Sequence, residues 1–238
     1  MAETRLFGQP LRRNEDPRLL TGQALFVDDV NLPRMGHVAF YRSPHAHARI
    51  LAIDTTAAAD LEGVIAVFTA ESLGTFWQQG PLLVAPPPIK DIIFNQRTQV
   101  PLAKDKVRYA GEPVVMVVAE SRYIAEDAVD QIWVDYEPLA AVVDLEQAIR
   151  PDSPWVHDDL EVGTAGANVN AHVVQIKGNG ASFDAIARNA ALVVKRRFYY
   201  DHGTAAAIEN RGIVADWDRR AARLTIWDTT QAPISIRN

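Results

Sequence analysis

Cysteine is absent from the 238 residues, and that removes several chemistries at once. Without a thiol the chain can hold no disulfide, no cysteine nucleophile, no thiolate-bound zinc and no iron–sulfur cluster. Any electron-transfer role would need redox centres on another polypeptide. A cysteine-free chain also fits the reducing cytoplasm. Long apolar runs are missing too: the longest clean one, residues 114–119, is far short of a membrane span. Arg5, Arg12 and Arg13 near the start are followed by no apolar segment, which argues against a secretory leader. There is no basic run either. With 24 basic and 30 acidic residues the net charge is −6, so the chain carries no electrostatic footprint for nucleic acid. Glycine (13) and proline (14) are close to average, which excludes collagen-like and disordered chains. What is present, 48% hydrophobic and 23% charged residues, is the make-up of a soluble protein with one large or two small domains.

The first part of the chain alternates short strands and helices, an α+β pattern. Strands are predicted over residues 24–30, 38–41 and 48–53, with Asn31-Leu32-Pro33 and Ser43-Pro44 as turns between them. The Ala-rich residues 55–61 predict a short helix closed by Gly63, followed by a strand over 64–68. Regularity is lost over 73–101, where Gly80-Pro81 and Pro86-Pro87-Pro88 predict a long loop. The apolar run 114–119 reads as a strand buried on both faces. Ser121 is then the expected N-cap of a helix with Ile124, Ala125, Ala128, Val129 and Ile132 on one face. Strands over 133–136 and 140–143 and a short helix opened by Asp144, with Gln147 three residues on, end this domain near Arg150. Residues 151–171 are rich in Pro, Gly, Asp and Asn and read as a linker. Beyond it come a strand over 173–177, a helix capped by Ser182, and strands over 191–200, 212–216 and 223–227. Residues 234–237 could begin a further helix. The chain is thus expected to stop within an incomplete domain.

Most chemical motifs are missing. There is no phosphate-binding Walker loop, no His-Glu-x-x-His and no Gly-x-Ser-x-Gly. Gly178-Asn179-Gly180 lacks the third glycine of a dinucleotide fingerprint, Phe183 standing in its place, and reads as a turn before a helix. His45 and His47, two apart, would share a strand face; with no third ligand nearby they read as structural, as do His157 and His202. Gly111-Glu112-Pro113 reads as a turn in which Gly111 takes a positive φ and Pro113 sets the strand entry. Glu209, Asn210 and Arg211 form a polar knot in which a Glu–Arg pair would be structural before it was catalytic.

Several segments together resemble the large, molybdenum-cofactor-binding subunit of the xanthine dehydrogenase, aldehyde oxidase and carbon monoxide dehydrogenase family. These are Arg13-Asn14-Glu15-Asp16-Pro17, Leu20-Thr21-Gly22 and Phe26-Val27-Asp28-Asp29 at the start. The most specific is Arg42-Ser43-Pro44-His45-Ala46-His47-Ala48-Arg49-Ile50. Gly63-Val64-Ile65-Ala66-Val67-Phe68-Thr69, Pro101-Leu102-Ala103 and Val107-Arg108-Tyr109-Ala110-Gly111-Glu112-Pro113 follow in order. Ala125-Glu126-Asp127-Ala128 and Val134-Asp135-Tyr136-Glu137-Pro138-Leu139 complete the series. Further on, Ile208-Glu209-Asn210-Arg211-Gly212 resembles the family's Met-Glu-Pro-Arg-Gly, with Ile for Met and Asn for Pro. Leu224-Thr225-Ile226-Trp227 with Thr230-Gln231-Ala232-Pro233 resembles the segment whose glutamine approaches molybdenum. Asp201-His202-Gly203-Thr204 departs from the usual pattern.

The resemblance implies an a/b hammerhead domain over residues 1–150, a linker over 151–171 and, over 172–238, the incomplete first part of an α+β molybdopterin-binding domain. Carried over by position, the cofactor-facing residue is Gln231, whose amide can hydrogen-bond a metal's oxygen ligand without itself ligating. No metal ligand is expected in the chain, and the family's general-base glutamate is expected outside it. The implied activity is that of a molybdenum hydroxylase, which adds water-derived oxygen to an aldehyde or N-heterocycle, with further chain needed for activity. Its molybdenum–molybdopterin would be shared with a C-terminal large-subunit fragment. Iron–sulfur and FAD groups would sit on partner subunits. The expected location is cytoplasmic. Two alternatives stay open: a non-catalytic truncated remnant or interaction module of the same family, and a small-molecule binder using the 73–101 loop and Trp77.

Overall fold

In the computed structural model the described residues are 8–78, 92–94, 100–158, 173–175, 180–201 and 203–237. They form two units: Arg34–Phe198 is one, and the described residues up to Pro33 together with those from Tyr199 onward are the other.

The chain opens with a short helix, α1 (Asp16–Leu20), and a 3-10 turn at Val27–Asp29. A strand was expected over 24–30, and the turn replaces it for a local reason. The Asp29 carboxylate accepts a hydrogen bond from the Phe26 N–H at 2.9 Å, which closes the chain on itself.

The larger unit begins with β1 (His37–Arg42), β2 (Ala48–Asp54), α2 (Thr56–Ala59) and β3 (Val64–Thr69), in agreement with the hydrophobic pattern. Asp60 caps α2, and Gly63 lies beyond it at φ +86° as the turn into β3 rather than as the cap itself. The expected loop over 73–101 contains a 3-10 turn at Gly74–Phe76 and a short strand, β4 (Ile92–Phe94). Next come β5 (Lys106–Val107), β6 (Pro113–Ala119), α3 (Arg122–Val129), β7 (Trp133–Pro138) and α4 (Leu145–Ala148). Both expected caps are made: Ser121 Oγ accepts from the Ile124 N–H at 3.3 Å, and Asp144 Oδ1 from the Gln147 N–H at 2.7 Å. Helix α3 ends at Val129, so Ile132 is buried from the turn after it, not from the helix face.

Two antiparallel sheets organise this unit. Strand β6 is central in β1–β6–β3, and β2 is central in β5–β2–β7. The core lies where they meet: Ala48, Ala58, Val107, Val114, Val115, Val117 and Ala128 are fully buried. Consecutive burial of Val114 and Val115 agrees with a strand covered on both faces. The strand expected over 140–143 does not form. Pro138 has no N–H to extend the ladder, and the Ala140 carbonyl is taken by His47 Nδ1 at 2.7 Å. The unit closes with β8 (Val173–Gln175), paired antiparallel with β4, and α5 (Gly180–Asn189). Because α5 starts at Gly180, Ser182 lies in its first turn and is not its cap. Residues 191–200 have strand-forming side chains yet belong to no ladder among the described residues.

The chain ends with β9 (Ile213–Asp218), β10 (Arg223–Asp228) and α6 (Pro233–Arg237), as the pattern predicts. The two strands pair antiparallel from Asp218↔Arg223 to Ile213↔Asp228. No helix among the described residues is long and apolar enough to cross a membrane.

Candidate functional site

The candidate site is built at the open end of the β9–β10 hairpin. The hairpin's register brings Ile213 opposite Asp228. One residue on, the Thr229 N–H donates to the Gly212 carbonyl at 3.1 Å and carries the pairing past the strand ends. Thr230 then turns the chain: its Oγ1 accepts from the Ala232 N–H at 3.0 Å, just ahead of α6. Gln231 lies between these two held residues, and its side chain is exposed.

A groove of about 590 Å³ opens here, within the range of ligand sites. Phe26, Val27 and Trp227 give it an apolar wall, and Glu209, Thr229 and Gln231 a polar one. Glu209 joins three segments. Its Oε1 accepts from the Val27 N–H at 3.3 Å and from the Thr229 hydroxyl at 3.3 Å. Gly212 permits the close approach: a Cβ there would lie 3.2 Å from Val27 Cγ1. The expected Glu209–Arg211 pair is therefore replaced by a different arrangement, with Glu209 half-buried on neutral donors and Arg211 exposed. Sequence reading missed this role of Glu209. The one available signal was the pair of threonines before Gln231, whose hydroxyls can serve a nearby carboxylate or amide.

The chemistry of this donor set suits an oxygen-rich group bound by hydrogen bonds. Gln231 offers two amide N–H donors and an acceptor. Among the described residues no three His, Asp or Glu side chains are grouped to hold a metal ion. A metal-bearing group would thus be held through its own ligands, with these residues forming one wall around it.

The remaining candidates lie in the larger unit. His45 and His47 precede β2, outside any strand, and do not share a strand face. The His45 ring packs edge-on to Tyr136, 4.9 Å between centroids, while His47 is buried and donates to Ala140. The turn at 111–113 forms as expected, with Gly111 at φ +88°. Glu112 is nearly fully buried, and its Oε2 accepts from the Arg108 backbone N–H. Burial raises its carboxyl above the usual range, opposed by that hydrogen bond and by the Arg108 charge. Burial and the neighbouring Tyr41 push the Tyr136 phenol up as well. Trp77 lines a smaller cavity of about 270 Å³ with Arg49, Lys104, Lys106 and Arg108, and its Nε1–H donates to the Leu102 carbonyl at 2.7 Å. The Lys106 ammonium there is paired with Asp158 at 2.7 Å. His157 is half-buried, next to the last described residue of this stretch, Asp158. His202 and most of the Gly178-Asn179-Gly180 turn lie outside the described residues.

Two family models match the chain. Residues 21–140 match "Aldehyde oxidase and xanthine dehydrogenase, a/b hammerhead domain", and residues 164–238 match "Molybdopterin cofactor-binding domain". Among curated relatives, the carbon monoxide dehydrogenase large chain of Afipia carboxidovorans is 38% identical over 231 residues, covering 95% of this chain and 27% of its own. The nicotine 6-hydroxylase large subunit of Paenarthrobacter nicotinovorans is 36% identical over 235 residues, covering 98% of this chain and 27% of its own. A crystal structure of Cu,Mo-CO dehydrogenase superposes with a TM-score of 0.81 at 36% identity, covering 97% of this chain and 28% of that one. The chain therefore spans little more than a quarter of the length of these proteins.

Proposed function

Because the chain belongs to the aldehyde oxidase and xanthine dehydrogenase family, we propose that it is the first part of a molybdenum hydroxylase large subunit. In this reading residues 1–150 form the hammerhead domain, 151–171 a linker, and 172–238 the beginning of the molybdopterin-binding domain. The remaining large-subunit chain completes the site, and the substrate is an aldehyde or an N-heterocycle hydroxylated with oxygen from water. Electrons leave through iron–sulfur and FAD partner subunits, because a chain without cysteine holds no such cluster. The assembly is cytoplasmic.

The observation that carries this reading is the position of Gln231. It stands on the polar wall of the groove, one turn past β10, inside the segment matched by the cofactor-binding family model. A bound molybdenum cofactor supplies the two-electron chemistry that side chains lack. The chain's own part is to bind and orient. Gln231 donates amide hydrogens to the cofactor, Thr229 and Thr230 fix the backbone on either side, and Phe26 and Trp227 keep water from one wall.

The test is to express this chain with the remaining large-subunit polypeptide and the iron–sulfur and FAD subunits, then measure co-purification and molybdenum together. A complex carrying molybdenum supports the proposal, and Gln231→Ala should then lower turnover by about ten- to a hundredfold. A chain that purifies alone and metal-free would reduce the enzyme reading to ancestry and leave the remnant reading standing.

A further inference from the structure

From the convergence of two separate segments on one carboxylate, we propose that Glu209 is a positioning residue for Gln231. The proposal rests on the reading of Gln231 as the cofactor-facing group and adds what holds it in place.

Glu209 Oε1 accepts two hydrogen bonds from partners far apart in sequence. Val27 is 182 residues away and Thr229 is 20. Thr229 is consequently held on both sides, its N–H by the Gly212 carbonyl and its hydroxyl by Glu209. Two residues later the Ala232 N–H is tied back to Thr230 Oγ1. Gln231 is left with little backbone freedom, and its amide is presented from a fixed point on the groove wall.

A carboxylate suits this task because an ionised acceptor makes the stronger bonds to neutral N–H and O–H donors. The groups concerned are only partly buried. On losing Glu209 the Val27 N–H and the Thr229 hydroxyl can turn to water. The expected consequence is local loosening beside Gln231, while the β9–β10 ladder, which has six paired positions of its own, stays closed.

Amide hydrogen exchange on the full 238-residue chain reads this directly and needs no cofactor. In Glu209→Ala, the Val27, Thr229 and Ala232 amides, each hydrogen-bonded in the clasp, should exchange about tenfold faster, with the β9–β10 amides unchanged. Glu209→Gln retains one acceptor oxygen and should restore most of the protection. Thr229→Val removes only the hydroxyl donor and should speed exchange at Thr229 and Ala232 while leaving Val27 protected. No change at Val27, Thr229 and Ala232, a uniform rise across β9 and β10, or failure of Gln to rescue would each overturn the proposal. If Glu209→Ala does not fold, Thr229→Val decides: faster exchange confined to Thr229 and Ala232 supports the clasp, and unchanged exchange there overturns it. The cofactor reading fails separately, on molybdenum and turnover in the assembled enzyme carrying Gln231→Ala.

Discussion

Glu112 is 4% exposed, and the loss of water outweighs what its carboxyl gains from the Arg108 N–H, the Arg108 charge and the Tyr109 backbone N–H. Its folded pKa is raised, so the native state holds this proton more tightly than the unfolded chain does. The stability it contributes is therefore fully present below the unfolded value near 4.5 and is lost as pH rises through the folded one. Thermal unfolding measured against pH should show this decline in the native chain and a flatter curve in Glu112→Gln, which keeps an acceptor for Arg108. Equal slopes would show that burial does not govern this carboxyl. Two glycines permit a second test at the same scale. Gly111 (φ +88°) has open space where a Cβ would lie, so Gly111→Ala should cost only the backbone strain of a left-handed residue, about 1–2 kcal/mol. At Gly63 (φ +86°) an added Cβ would sit 2.7 Å from Ile124 Cδ1 in α3. Gly63→Ala should therefore be the more destabilising of the two, measured by denaturant midpoint, and a reversed order would mean that Ile124 yields freely.

Among the elements, β6 has the most to lose, because it is hydrogen-bonded on both edges and Val114, Val115 and Val117 are fully buried. Val117→Ala should cost about 1–3 kcal/mol. Val38→Ala on neighbouring β1, at a site 49% exposed, should cost less than about 0.5 kcal/mol. Strand β6, its partners β1 and β3, and the paired β2 and β7 were all legible in the sequence, because alternating or continuous apolar runs survive intact in the fold. What was not legible depended on side chains taking over backbone partners. Asp29 closes on Phe26 where a strand was expected, and His47 occupies the Ala140 carbonyl where another was expected. Gln231 could be picked out only through its flanking motif, since nothing in its own spacing distinguishes it from any polar residue at a strand end. The Glu209 clasp could not be seen at all, because one partner lies 182 residues away. Residues 191–200 are the informative failure. Their side chains favour a strand, but Val194, Phe198 and Tyr200 stay 72–97% exposed, with no ladder neighbour among the described residues. The amides of Leu192, Val193, Val194 and Phe198 should exchange freely in the isolated chain and become protected once the remaining large-subunit chain is joined to it. Continued fast exchange in the complex would rule out strand addition at this segment.

At the scale of the molecule, exposed apolar side chains occur all along the chain: Leu20, Phe76, Leu145, Tyr200 and Ile208 are each at least 86% exposed. The isolated chain should therefore bind a hydrophobic dye and self-associate with rising concentration. Co-expression with the remaining large-subunit chain should suppress both, and persistence of dye binding in a stable complex would show that this surface is not the one covered. The two units also differ in how the chain supplies them. Residues 34–198 form theirs from one continuous stretch, whereas the other is assembled from the two ends of the sequence, up to Pro33 and from Tyr199 onward. On a ribosome adding about 5–20 residues each second, Val27 emerges roughly ten to forty seconds before Glu209, its partner 182 positions later. For that interval the larger unit can fold while Val27 waits without its native acceptor, and Leu25, Phe26 and Val27 together make a nascent apolar tag that chaperones hold until synthesis reaches the closing strands.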